Sequence, residues 1–199
     1  MNHPAHYGFD KIGVTSEQAD ELVARMSEPH RVYHTIPHVE YILEQTSDPL
    51  LIAAAWFHDA VYDPTRTDNE ARSSYLATIF YFFNPPSFDV LLLGQIIMDT
   101  AKHEATHPLS QKFSDLDMSI LGSNSDRYDE YYKAIRQEFA FVPWATYCSK
   151  RSEILQAFNK KKIFYTAEFD HLEPVTHDNL TREINQLQTL DESSFLANW

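Results

Sequence analysis

The chain has 199 residues, the length of one ordinary domain, and such a chain buries roughly 70% of its unfolded surface without needing a staple. Its single cysteine, Cys148, excludes a disulfide framework and a cysteine-rich metal knot. Sixteen Lys and Arg against 29 Asp and Glu give a net charge of −13, which argues against broad nucleic-acid binding and against a polybasic membrane contact.

Met1 to His6 shows neither a basic start nor an apolar run, so no secretory signal is expected and a cytoplasmic protein is the default. Thr15-Ser16-Glu17-Gln18 has capping-box spacing and opens a helix that carries Leu22, Val23 and Met26 inward. Pro37 suits the first turn of a second helix, with Val39, Ile42 and Leu43 on its buried side. Asp48-Pro49 caps a third helix. Its body, Leu50 to Phe57, is apolar all round, the pattern of a central buried helix.

Thr67-Asp68-Asn69-Glu70 predicts another capping box, opening a helix to about Phe83. Within it, Ile79 to Phe83 reads as core. Pro85-Pro86 stops that helix, and Ser87 is the expected cap of the next, to about His103. A short apolar helix over Leu116–Leu121 ends at Gly122, read as its left-handed C-terminal residue. Tyr128–Phe141, Trp144–Phe158 and His177–Leu190 complete one all-α domain over 1–199. The tyrosines at 128, 131 and 132 suit helix packing. Arg136 and Arg151 fit either a cleft lining or surface ion pairs. Gly8, Gly13, Gly94 and Gly122 form no phosphate-cradling loop, so Rossmann and P-loop chemistry is not expected.

The most informative point is His58-Asp59, where the apolar helix delivers two metal-competent side chains inward. A buried charge is costly unless paired or coordinated. A divalent cation satisfies both groups, since imidazole nitrogen and carboxylate oxygen suit Mn, Fe, Ni or Zn, and carboxylate suits Mg. The dipeptide alone fits an ordinary helix end better, with His58 at the dipole and Asp59 in water. Its surroundings shift the balance. His34 and His38 bracket the start of the second helix, and Asp115 and Asp117 punctuate an apolar segment.

In this order, His38, then His58-Asp59, then Asp117 resembles the H…HD…D pattern of the HD-domain superfamily of metal-dependent phosphohydrolases. The likeness is closest to a bacterial group of predicted HD-superfamily hydrolases. It is carried by RVYHTIPHV, AAWFHDAVYD, DNEARSS, DTAKHE, DLDMSILG and YDEYYKAIRQEF, spanning Arg31 to Phe139. The resemblance implies a single HD-domain helical bundle. It implies His38, His58, Asp59 and Asp117 as ligands of a divalent metal, with Asp115 competing for the last place.

Some members carry extra histidines in the interval that holds His103 and His107. His103 is therefore a further ligand candidate, with a surface helix end as its rival role. Asp63 matches the final acid of an HDxxED pattern, although Tyr62 departs from it. General acid/base work and capping before Pro64 are both open to Asp63. Glu70 is a catalytic candidate and also the expected capping partner of Thr67. Arg31 and Lys102 are the phosphate-binding candidates, and His34 touches either substrate or backbone. The implied activity is attack of metal-activated water on a small phosphoester, with nucleotides foremost. The alternative is a non-catalytic module that binds metal and a phosphorylated small molecule.

Overall fold

The computed structural model describes residues 3–102 and 104–197. The described residues form eleven α-helices and no strand, in two compact units, Met1–Asp117 and Met118–Trp199. The all-α expectation holds. None of these helices is long and apolar enough to cross a membrane.

In the first unit, α1 (Phe9–Ile12) and α2 (Ser16–Arg25) precede α3 (Ile36–Leu43) and α4 (Pro49–Phe57). The capping box of α2 forms as the sequence predicts. Thr15 Oγ1 accepts the Gln18 N–H, and Gln18 Oε1 accepts the Thr15 N–H at 2.8 Å. Asp48 Oδ1 accepts the Leu50 N–H at 2.8 Å and starts α4. Every residue from Leu50 to Phe57 is buried. The Trp56 indole N–H donates to the Tyr7 carbonyl at 2.9 Å, and its ring packs on Phe9. Burying Trp56 or Phe57 stabilises by about 2–3 kcal/mol each. α4 packs against α1, α3, α5 (Asn69–Tyr81) and α6 (Val90–Thr100), so its C-terminal end is held inside the unit.

α5 (Asn69–Tyr81), α6 (Val90–Thr100) and α7 (Pro108–Met118) follow, and here four expectations are corrected. No capping box forms at Thr67 and Glu70. The cap position is Asp68, and Arg66 and Arg72 take its carboxylate instead. Asp89, not Ser87, caps α6, because its Oδ1 accepts the Leu91 N–H at 2.8 Å. The aromatic run is only partly core: Phe80 and Tyr81 are buried, whereas Ile79, Phe82 and Phe83 face solvent. Residues 108–115, ahead of the short helix expected at Leu116, belong to α7. Pro108 tolerates the first turn, where its missing N–H costs nothing, and His107 Nδ1 accepts the Leu109 N–H at 3.2 Å.

The second unit opens with a 3-10 turn, Ser119–Gly122. α8 (Ser125–Glu138), α9 (Trp144–Asn159), α10 (Glu173–Thr189) and α11 (Glu192–Phe195) follow. Gly122 is not left-handed, contrary to its reading as a helix terminator. It is needed for close approach, since a Cβ there would lie 2.6 Å from Leu172 Cβ and 3.0 Å from Thr176 Oγ1. Gly122→Ala is therefore expected to destabilise the protein by about 1–3 kcal/mol, measured by urea denaturation. Arg136 and Arg151 form ion pairs within this unit, Arg136 with Glu192 and Arg151 with Glu183.

Candidate metal centre

Three separate stretches of the first unit supply the side chains. His38 sits on the first turn of α3, fixed by the buried Val39 and Ile42 and by the Tyr33 ring 4.8 Å from its own. His58 follows the last turn of α4, where its N–H bonds the Ala54 carbonyl at 2.9 Å. Asp117 lies near the end of α7.

The His58 ring is oriented by its own helix. Its Nδ1 lies 3.0 Å from the Ala55 carbonyl and 3.2 Å from that of Ala54, so Nδ1–H donates and Nε2 points away. A backbone acceptor on one ring nitrogen is what fixes the tautomer that leaves the other free to ligate. Phe113 packs against the ring at 5.4 Å.

The free ends then meet. His58 Nε2 stands 3.3 Å from His38 Nε2, 3.0 Å from Asp59 Oδ2 and 3.6 Å from Asp117 Oδ1. His38 Nε2 is 3.1 Å from Asp117 Oδ1. Ligand atoms of His38, His58 and Asp117 lie within 4.8 Å of one another. Asp59 joins this group through His58. Two imidazole nitrogens with one or two carboxylates form a donor set that suits a borderline divalent ion. His38 Nδ1 is buried without a hydrogen bond, so the polar neighbours of that ring lie on its Nε2 side.

Electrostatics follow from burial and proximity. Burial lowers the pKa of His38 and keeps that imidazole neutral, although Asp117 works against it. Burial opposes charge on His58 too, but Asp59 and Asp117 outweigh it and hold the ring up at about 9. Burial would raise the Asp59 carboxyl, yet His58 and His34 keep it well below the usual carboxylate range. Without metal, His58 and Asp59 are thus an ion pair.

The remaining candidates fall in different places. Asp115 is fully buried in α7, and being two residues before Asp117 it points about 200° away around the helix. Asp117 is the one that reaches the histidines. His34 is half-buried beside the group, its Nε2 3.9 Å from Asp59 Oδ2 and its ring 4.4 Å from that of Tyr62. Asp63 lies beyond the end of α4 and accepts from the Thr65 N–H and hydroxyl at 2.9 and 2.6 Å, which keeps its pKa low. This is the turn-capping role. Glu70 is half-buried in the first turn of α5, and Lys102 is exposed just past α6. His103 lies outside the described residues.

Arg31 does not stand ready for phosphate. Its guanidinium is fully buried, and it donates to the Asp59 carbonyl at 2.8 Å, the His34 carbonyl at 3.1 Å and Glu28 Oε2 at 3.0 Å. The planar fork ties the loop before α3 to the backbone of Asp59, which makes Arg31 a positioning residue. Arg31→Met is expected to destabilise by about 3 kcal/mol, because it leaves buried carbonyls without a donor. It should also weaken metal binding roughly 10- to 100-fold, as loss of an orienting contact does. Urea denaturation and metal titration check both effects, and Arg31→Lys should recover only part of either.

Sequence reading missed the aromatic wall of Tyr33 and Tyr62 beside the histidines, and the bond from Ser110 to Asp99 that ties α7 to α6. Asp99 opens the DTAKHE stretch, so that stretch held a signal for the second feature. Tyr33 and Tyr62 likewise lie within RVYHTIPHV and AAWFHDAVYD, so those stretches held a signal for the first. No family model, curated protein or solved structure matches the chain.

Proposed function

We propose that the chain is a metal-dependent phosphohydrolase of the HD-domain type, acting in the cytoplasm on a small phosphoester, with nucleotides as the first class to test. One observation carries the reading. Side chains 20 and 59 residues away from His58 or its neighbour, His38 and Asp117, meet the His58-Asp59 pair in space, in the order the motif implies. When bound, a divalent ion of the Mn, Mg, Fe, Ni or Zn class would supply Lewis acidity toward a phosphoryl oxygen and toward water.

The protein's own part is to hold and to shape. His38 and His58 would present Nε2, and Asp59 and Asp117 would present carboxylates whose charge balances a divalent cation. The Ala55 carbonyl holds the His58 Nδ1–H, which would leave Nε2 for an ion, and the apolar body of α4 lies behind the site. His34, partly exposed beside Asp59, is the nearest candidate to hold or move a proton at the substrate.

A second reading has its own observation. Arg31, one of the two cations expected to serve phosphate, and Asp63, an acid open to acid/base work, are engaged by the fold. A module that binds metal and a phosphorylated small molecule without turnover needs neither. Protein loaded with each metal in turn should be assayed against nucleotides and generic phosphoesters. Product release that disappears in Asp59→Ala supports the hydrolase. Tight binding without product in every metal supports the module, and no retained divalent metal defeats both.

A further inference from the structure

α5 and α6 form a helical hairpin whose inner contact is close: a Cβ on Gly94 would lie 2.9 Å from Ser74 Oγ. On the solvent side of this contact both helices are apolar. Tyr75 is 67%, Phe82 71%, Phe83 92% and Leu91 85% exposed, and Ile79 and Met98 are about half-exposed. Tyr75, Ile79 and Phe82 are spaced by four and three residues, as are Leu91, Gln95 and Met98, so each helix presents one stripe.

Isolated exposed apolar side chains are ordinary, but a contiguous patch beyond a few hundred Å² marks an interaction surface. With aromatic side chains contributing about 150–250 Å² each, this face offers on the order of 800 Å². That is close to the roughly 800 Å² per partner of a stable interface. Charge points the same way. Ala71, Thr78 and Gln95, exposed between these positions, carry no charge, Arg72 at the start of the α5 stripe is a cation, and no exposed carboxylate lies on either stripe. In a chain of net charge −13, this is a face on which two copies can approach without acid facing acid.

We propose that the α5–α6 hairpin is a homodimer interface, with the same face of a second copy as its occupant. A two-fold arrangement lets one self-complementary patch cover itself, and two hairpins then pack as four helices. The inference is independent of the metal centre.

Sedimentation equilibrium of the full chain tests it. The expected result is a dimer whose dissociation constant rises on the order of 30-fold or more in Phe83→Glu, as for a central aromatic anchor. Leu91→Glu on the other helix should act in the same direction. Both positions are largely exposed in the single chain, so helix content and melting of the separated chains should be unchanged. A wild-type monomer at the highest soluble concentration overturns the proposal, as does a dimer indifferent to both variants. Monomeric protein that binds phosphatidylcholine vesicles through this face would also overturn it and assign the face to lipid.

Discussion

His58→Ala is expected to emerge from purification without stoichiometric divalent metal and to hydrolyse phosphoesters on the order of 1000-fold more slowly than the parent. The size of the effect follows from where Nε2 sits. It is within 3.6 Å of His38, Asp59 and Asp117 alike, so its removal takes out a donor that lies against all three of the others. It also leaves two carboxylates near one another with one neutral imidazole, an arrangement that favours a proton over a productive ligand set. Elemental analysis and an initial-rate assay check the result. Metal and activity both retained in His58→Ala would sink the metal-centre reading.

The pH dependence has a definite sign. In the metal-free protein the His58 pKa is raised from 6.5 to about 9, against the cost of burial, by Asp59 and Asp117. A raised folded-state value stabilises the fold fully below the unfolded value and loses that stabilisation as pH climbs through the folded one. Metal-free protein should therefore lose about 3 kcal/mol of stability between roughly pH 6.5 and pH 9. Metal binding runs the other way, because the ion displaces the His58 proton. Its apparent affinity should rise about tenfold per pH unit up to near pH 9. Thermal melts of apo and loaded protein, with titration calorimetry across this range, would read both trends. His58→Ala should flatten them.

Local chemistry made part of this legible from residues alone. Thr15 with Gln18 and Asp48 with Pro49 announce helix starts because their caps close within three residues. The uninterrupted apolar run of α4 announces burial, and with it the unusual position of His58 and Asp59. What stayed hidden depends on acceptors and neighbours far along the chain. Arg31 looks like an anion grip because its backbone-carbonyl partners leave no mark in sequence. Asp68 follows the capping pattern, yet two nearby arginines outcompete the helix N–H groups for its carboxylate. α7 carries apolar residues only at 109, 113 and 116 before Met118, too sparse a stripe to extend the helix back to Pro108. Gly122 invites a terminator reading, whereas crowding by Leu172, 50 residues later, is what requires it.

Glu183→Ala is expected to cause the largest loss of folding stability of any single substitution in the second unit, about 3–5 kcal/mol. Glu183 is fully buried on α10 and answers two helices at once. From α9, Arg151 Nε donates to Oε1 at 2.8 Å and Nη2 donates to Oε2 at 3.3 Å. From α8, the Tyr128 hydroxyl donates to Oε2 at 2.5 Å, and Tyr131 accepts from Arg151 at 3.2 Å. Removing the carboxylate leaves the guanidinium with no counter-charge and Tyr128 with no acceptor, and each loss carries its own desolvation penalty. The favourable worth of the intact pair is far smaller, since burial costs both ions. The double variant Arg151→Met with Glu183→Leu should therefore recover most of the stability lost in Glu183→Ala. Urea denaturation of the four proteins in the cycle reads this directly. Equal destabilisation in the double and single variants would show that the carboxylate matters for packing and not as the partner of Arg151. Metal content serves as the control: because no candidate ligand comes from this unit, Glu183→Ala should bind metal as the parent does under conditions where it remains folded.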